Sequence, residues 1–202
     1  MVRILNFSRV YVADQHKRNI MTQIQDKTGK ERVIPILPEE LEEFENEVER
    51  FQAGEWSSEH EFMAFRLRQG VYGQRQADVQ MVRVKAPFGG LTADQLDALS
   101  IFADRYTPLR KGHITTRENI QFHHVKLEDA AAGLHILAEV GLSTREACGN
   151  TVRNVTGCPM AGVCGDEPFD VTPYAAAYAR YFVRHPFTQS MPRKIKSAFS
   201  GC

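Results

Sequence analysis

The stretch from Met81 to Gly141 follows one rhythm, and that rhythm leaves few folds open. Met81-Val-Arg-Val-Lys85 alternates like a strand, with Val82 and Val84 on one face and Met81, Arg83 and Lys85 on the other. Gly89-Gly90 makes a turn, Thr92 with Gln95 forms a capping box, and a helix runs to about Tyr106. Two strands follow, over about 111–116 and 120–125, with Arg117-Glu118-Asn119 at their junction. A helix over about 128–140 then ends at Gly141, a left-handed cap. The order β-α-β-β-α supplies the first five elements of a ferredoxin-like β-α-β-β-α-β unit, and so predicts an α+β fold. The sixth strand falls between about 144 and 154.

The flanks read differently. Residues 1–37 carry the turn signal Asp26-Lys-Thr-Gly-Lys30 and alternate poorly, which predicts a partly extended arm. Pro38, Glu39 and Glu40 open a helix with acidic residues where its dipole favours them, and Leu41, Phe44, Val48 and Phe51 give it one apolar stripe up to Gly54. A second helix spans about 58–69, and Gly70-Val-Tyr-Gly73 reads as a turn flanked by Arg66, Arg68 and Arg75. Further on, a helix is predicted from about Pro173 to Arg184 and a strand from Lys194 to Phe199. The division expected is an arm with helices over 1–75, a ferredoxin-like half-domain over 76–145, and the first part of a second domain over 146–202. Ser197 to Cys202 begins like a strand and stops, which reads as a chain cut inside that second domain.

Charge and composition exclude several function classes. Lysine plus arginine equals aspartate plus glutamate at 25 each, without the positive excess of a protein that coats nucleic acid. No run approaches the roughly 20 apolar residues needed to cross a bilayer, and the first residues lack a signal-peptide core. Cys148, Cys158, Cys164 and Cys202 are too few and too clustered for an extracellular disulfide frame. A cytoplasmic protein without membrane or nucleic-acid partners is the expectation.

The chemistry gathers in three places. Gly149 to Cys164 holds an arginine, Arg153, with amides, glycines and cysteines in a run unsuited to a regular helix or strand, so it reads as backbone shaped around a ligand. Arg83 shares its strand face with Lys85, and Thr115, Thr116, Arg117, Asn119, Gln121 and His123 follow on the neighbouring strand pair. Hydroxyls, amides, an imidazole and guanidiniums together are what binding several carboxylates requires, and arginine meets a carboxylate bidentately without losing charge. Lys194 and Lys196 sit two apart, on one face of the final strand. The sum suggests a large polyanion as ligand. Cys158-x5-Cys164 imitates half of an iron–sulfur motif, but small buried thiols are the commoner case and no metal ligand is assigned. His123 and His124 face opposite ways, and neither is assigned to a haem iron.

The segments Phe65 to Gln76, Met81 to Lys85, Thr115 to His123, Val152 to Val155 and Met191 to Lys196 resemble the N-terminal half of the siroheme-dependent nitrite/sulfite reductases. The likeness runs from about Glu39 to the end of the chain. It implies siroheme beside a 4Fe-4S cluster, reducing sulfite to sulfide or nitrite to ammonia by six electrons, with a ferredoxin-type donor. By that resemblance Arg83, Arg153, Lys194 and Lys196 surround the bound oxyanion, while Arg117, Thr115, Thr116, Asn119, Gln121, His123, Asn154 and Arg193 hold siroheme carboxylates or order the pocket. The family's cluster cysteines belong to its C-terminal half, so the cluster ligands are expected there, and this chain is expected to be inactive without that half. Two rivals remain: a ferredoxin-like sheet used for RNA or protein binding, against which the lack of paired exposed aromatics weighs, and a half-protein that docks to a separately encoded partner.

Overall fold

The computed structural model describes residues 33–202; most of the expected N-terminal arm lies outside the described residues. Helix α1 (Pro38–Gln52) begins with its proline and paired glutamates in the first turn and buries Phe44 and Val48. Helix α2 (Glu59–Arg68) is capped by Ser58, whose hydroxyl accepts from the Glu61 amide at 3.2 Å. Between them Phe51 stacks on Phe62 at 4.0 Å, with Trp56 edge-on to Phe62 at 5.3 Å. This aromatic group continues the main core without a break.

Four strands form one antiparallel sheet, β1 (Val71–Gly73), β2 (Val79–Val84), β3 (His113–Ile114) and β4 (Ile120–Lys126), in the order β1-β2-β4-β3. Helices α3 (Ala93–Tyr106) and α4 (Leu127–Glu139) bury Leu99, Phe102, Leu134 and Leu137 against Val82, Val84, Phe122 and Val125. Both halves of the Thr92–Gln95 capping box form. The α+β half-domain expected from the rhythm is therefore present. No helix among the described residues is long and apolar enough to cross a membrane.

Three local expectations change. Gly70 to Gly73 was expected as a turn, but Gly70, with φ of 79°, bends the chain so that β1 pairs with β2, and the reversal moves to the residues before Val79. The strand expected over 111–116 shrinks to β3. The sixth ferredoxin-like strand, expected between 144 and 154, is reduced to a single bridge from Ser143 to Lys85. The cause is that β1 and Gly70 already take the outer edge of β2 as far as Arg83, whose amide donates to the Gly70 carbonyl. Only the position of Lys85 is left for a partner.

Residues 144–147 instead lock onto the corner that ends α2. The Thr144 hydroxyl donates to the Gln69 carbonyl at 2.6 Å, and the Glu146 amide donates to the Arg68 carbonyl at 2.7 Å. Beyond them the chain forms a parallel ribbon. Val152 bridges Ile195, then β5 (Thr156–Gly157) pairs with β6 (Ala198–Phe199). Helix α5 (Thr172–Phe182) lies against the ribbon, Tyr178 touching Phe199. The expected strand over 194–199 is thus one side of this ribbon.

The reverse face of β2 also departs from expectation. Met81 and Lys85 are only 6% and 5% exposed, and the 143–147 segment meets that face where Ser143 bridges Lys85 and the Ala147 carbonyl accepts from Arg83. Arg83 alone of the three remains partly open.

Candidate anion site

Arg83 stands on β2 opposite Gln121 of β4. With the Gln121 amide oxygen turned toward it, the guanidinium donates from Nε at 2.8 Å and from Nη2 at 2.6 Å, and its Nη1 donates to the Ala147 carbonyl at 3.2 Å. Arg153 reaches the same carbonyl: its Nη1 donates to Ala147 O at 2.8 Å, and its Nε to Gly149 O at 2.8 Å. One backbone oxygen, pinned by the docking of Thr144 and Glu146, therefore holds two cations close together.

Arg117 completes the group. Its Nη1 lies at 3.5 Å from the Asn154 carbonyl and 3.4 Å from that of Ser197. The loop carrying it is built by Thr115, whose hydroxyl accepts from the amides of Arg117 and Asn119. Asn154 ties that loop to the ribbon, donating from Nδ2 to Ala86 O at 2.8 Å and to Arg117 O at 2.9 Å. Among the described residues no carboxylate pairs with Arg83, Arg117 or Arg153. Burial lowers the Arg153 guanidinium from its ordinary pKa, and the charges of Arg83 and Arg117 push the same way against the opposing effect of Cys148. Arg83 and Arg117 are each within electrostatic reach of Arg153, and among the described residues the three have no carboxylate counter-charge, the condition for holding an external anion.

His123 accepts from Gln74 Nε2 through Nδ1 at 3.4 Å in the tautomer protonated at Nε2. Burial, then His113, His124 and Arg83, lowers its pKa, so the ring is neutral at pH 7. The sequence-predicted residues therefore divide. Arg83, Arg117, Arg153 and Gln121 converge; Thr115 and Asn154 hold loops together; Asn119 is buried; Thr116, Arg193, Lys194 and Lys196 are exposed. The Val152–Ile195 alignment places Lys194 and Lys196 on the same side of the ribbon as Arg153, since side chains alternate together in paired strands.

A second ionic group was missed from sequence. Glu146 is fully buried, its Oε1 accepting from the Arg184 amide at 2.8 Å and from Gln189 Nε2 at 2.6 Å. Arg184 also donates to both oxygens of Glu40 at 2.7 Å, and Arg145 lies 3.6 Å from Glu40. Lys85 is buried beside this group. Burial pushes its pKa down to about 8, opposed by Glu146 and assisted by Arg184, Arg153 and Arg145. No local pattern announces Glu146, because its partners come from the far ends of the described chain.

Two family models match the chain. The nitrite/sulfite reductase ferredoxin-like half domain covers residues 72–140, and the nitrite and sulphite reductase 4Fe-4S domain covers residues 148–202. A sulfite reductase (ferredoxin) of Mycobacterium tuberculosis is 34% identical over 126 residues, 62% of this chain and 22% of that protein. A ferredoxin–nitrite reductase of Synechococcus elongatus is 36% identical over 126 residues, 60% of this chain and 24% of that one. The solved structure of the Mycobacterium tuberculosis NirA protein superposes with a TM-score of 0.66 at 26% identity, covering 81% of this chain and 35% of that chain. The chain spans about a quarter of the length of the curated relatives it matches.

Proposed function

Because this chain belongs to the nitrite/sulfite reductase family, we propose that it supplies one wall of a siroheme pocket in an enzyme reducing sulfite to sulfide or nitrite to ammonia. The observation that carries this reading is the trio Arg83, Arg117 and Arg153, tied to backbone carbonyls and free of carboxylate partners among the described residues. That donor set fits siroheme, whose rim is rich in carboxylates. When bound, siroheme with its 4Fe-4S cluster would relay to the substrate the six electrons that the external donor supplies. The relatives' names add ferredoxin as donor and sulfite or nitrite as substrate, and the same are proposed here.

The residues divide the work. Arg83 and Arg153 face the substrate oxyanion and offset its repulsion from a macrocycle that is already anionic. Arg117, Gln121 and His123 hold carboxylates of the macrocycle or order the pocket, with Thr115, Asn119 and Asn154 fixing the loop beneath them. Thr116 and Arg193 contribute exposed donors at its edge. Lys194 and Lys196, on the Arg153 side of the ribbon, donate protons to departing oxygens. By the family resemblance, the cluster ligands are assigned to a C-terminal half of the same enzyme. A cytoplasmic location goes with this reading.

The test is reduction of sulfite and of nitrite with a reduced ferredoxin-type donor, using this chain joined to a C-terminal half from the family. Arg83→Glu is expected to lower turnover at least tenfold while leaving the fold intact by circular dichroism. Normal turnover in that variant removes the role given to Arg83.

A further inference from the structure

Three of the four cysteines meet at one end of the parallel ribbon. The Cys158 amide donates to the Phe199 carbonyl at 3.0 Å, which sets Cys158 beside the last residues of the chain. The loop after it folds back through Ala161 N to Cys158 O at 2.9 Å and Cys164 N to Met160 O at 3.0 Å. This brings the Cys164 side chain within reach of the Cys202 thiol, with Cys158 in electrostatic range of Cys202. Glu167 clamps the arrangement. Its Oε2 accepts from the Gly162 amide at 2.6 Å, and its side chain packs so closely on Gly201 that a Cβ there would overlap it. Cys148 is apart from this group, buried near Arg83 and Arg153.

All four cysteines are free thiols, with Cys158 and Cys164 half-buried and Cys202 exposed. We propose that Cys164 and Cys202 form a reversible disulfide by exchange with a low-molecular-weight disulfide, stapling the 158–167 loop to the end of the ribbon. The exposed Cys202 thiolate attacks the small disulfide and expels one thiolate. The Cys164 thiolate then attacks the Cys202 sulfur of the mixed disulfide and expels the second. Two electrons pass to the small disulfide, and the two protons given up by the cysteines end on the two small thiols released. Accessible pairs of this sort are the labile, regulatory ones in reducing compartments. The staple acts on the ribbon whose earlier rungs carry Arg153 and Ile195, between the two exposed lysines. It does not depend on the reductase reading.

The Ser200 hydrogen bond favours the Cys202 thiolate, but Cys164 and Cys158 outweigh it and raise the pKa. The exchange is therefore expected to accelerate as pH rises toward 9. The experiment incubates the purified chain with oxidised glutathione, then counts thiols under denaturing conditions and maps disulfides by mass spectrometry. Accessible thiols are expected to fall from four to two, with one intramolecular link between Cys164 and Cys202. Cys158→Ser is expected to leave that link unchanged, and Cys164→Ser to trap a glutathione adduct on Cys202. A link through Cys158, a disulfide between two chains, or four thiols remaining after incubation at pH 9 each overturns the proposal.

Discussion

Replacing Lys85 by methionine should make the protein more stable, not less, and only below a defined pH. The ammonium is 5% exposed, and its pKa falls from 10.5 to about 8. A depression of that size corresponds to about 3 kcal/mol between the charged and neutral forms, with the attraction to Glu146 already included. Below pH 8 the lysine is protonated in both the folded and unfolded states, so the folded state carries the whole cost. Between about 8 and 10.5 the unfolded chain binds the extra proton, and stability rises with pH until the cost is gone. Methionine fills a similar volume without charge, and Glu146 keeps the Arg184 amide, Gln189 and nearby Arg145. Lys85→Met should therefore exceed the wild type by about 3 kcal/mol at pH 7, and the gap should close by about pH 10.5. Urea unfolding followed by the single tryptophan, Trp56, which packs on Phe62, reads this directly. Subtracting the two proteins at each pH removes the other groups that titrate in that range. A variant less stable at pH 7, or a gap that does not change with pH, would refute the reasoning.

Two further substitutions probe how the site is held. Gly70→Ala should cost about 3 kcal/mol, because φ is +79° and the new Cβ would overlap the Thr144 carbonyl, undoing the dock that positions Ala147; chemical denaturation measures it. Asn154→Ala leaves the carbonyls of Ala86 and Arg117 without their donor, at a cost of about 2 kcal/mol, and should speed hydrogen exchange at the Arg117 and Asn119 amides.

Much of the half-domain was legible because its signals are local. The alternation of Val82 and Val84, the Thr92–Gln95 box and Gly141 each act within a few residues, and tertiary packing agrees with all of them. The edge of β2 was not legible, since Gly70-Val-Tyr-Gly73 reads as a turn until one knows that its neighbour is free to pair. The same competition removed the sixth strand. Among the arginines, Arg83 and Arg153 meet at the Ala147 carbonyl, and Arg117 lies within electrostatic reach of Arg153. Whether a polar side chain serves a ligand or the backbone depends on long-range contacts, which is why Asn154 turned out to be a tie between the Ala86 and Arg117 carbonyls. Lys85 and Glu146 were hidden for the same reason, as each owes its burial to segments distant in sequence.

The most direct measurement is an anaerobic titration of the purified chain with siroheme, followed by visible absorbance at several salt concentrations. Saturable binding is expected, weakening with salt, and charge reversal at Arg83 or Arg117 should raise Kd at least tenfold, from the loss of about 1.5–3 kcal/mol per charged hydrogen bond. Failure to bind, or affinity indifferent to both substitutions, would contradict the assignment of these guanidiniums to a carboxylate-rich macrocycle.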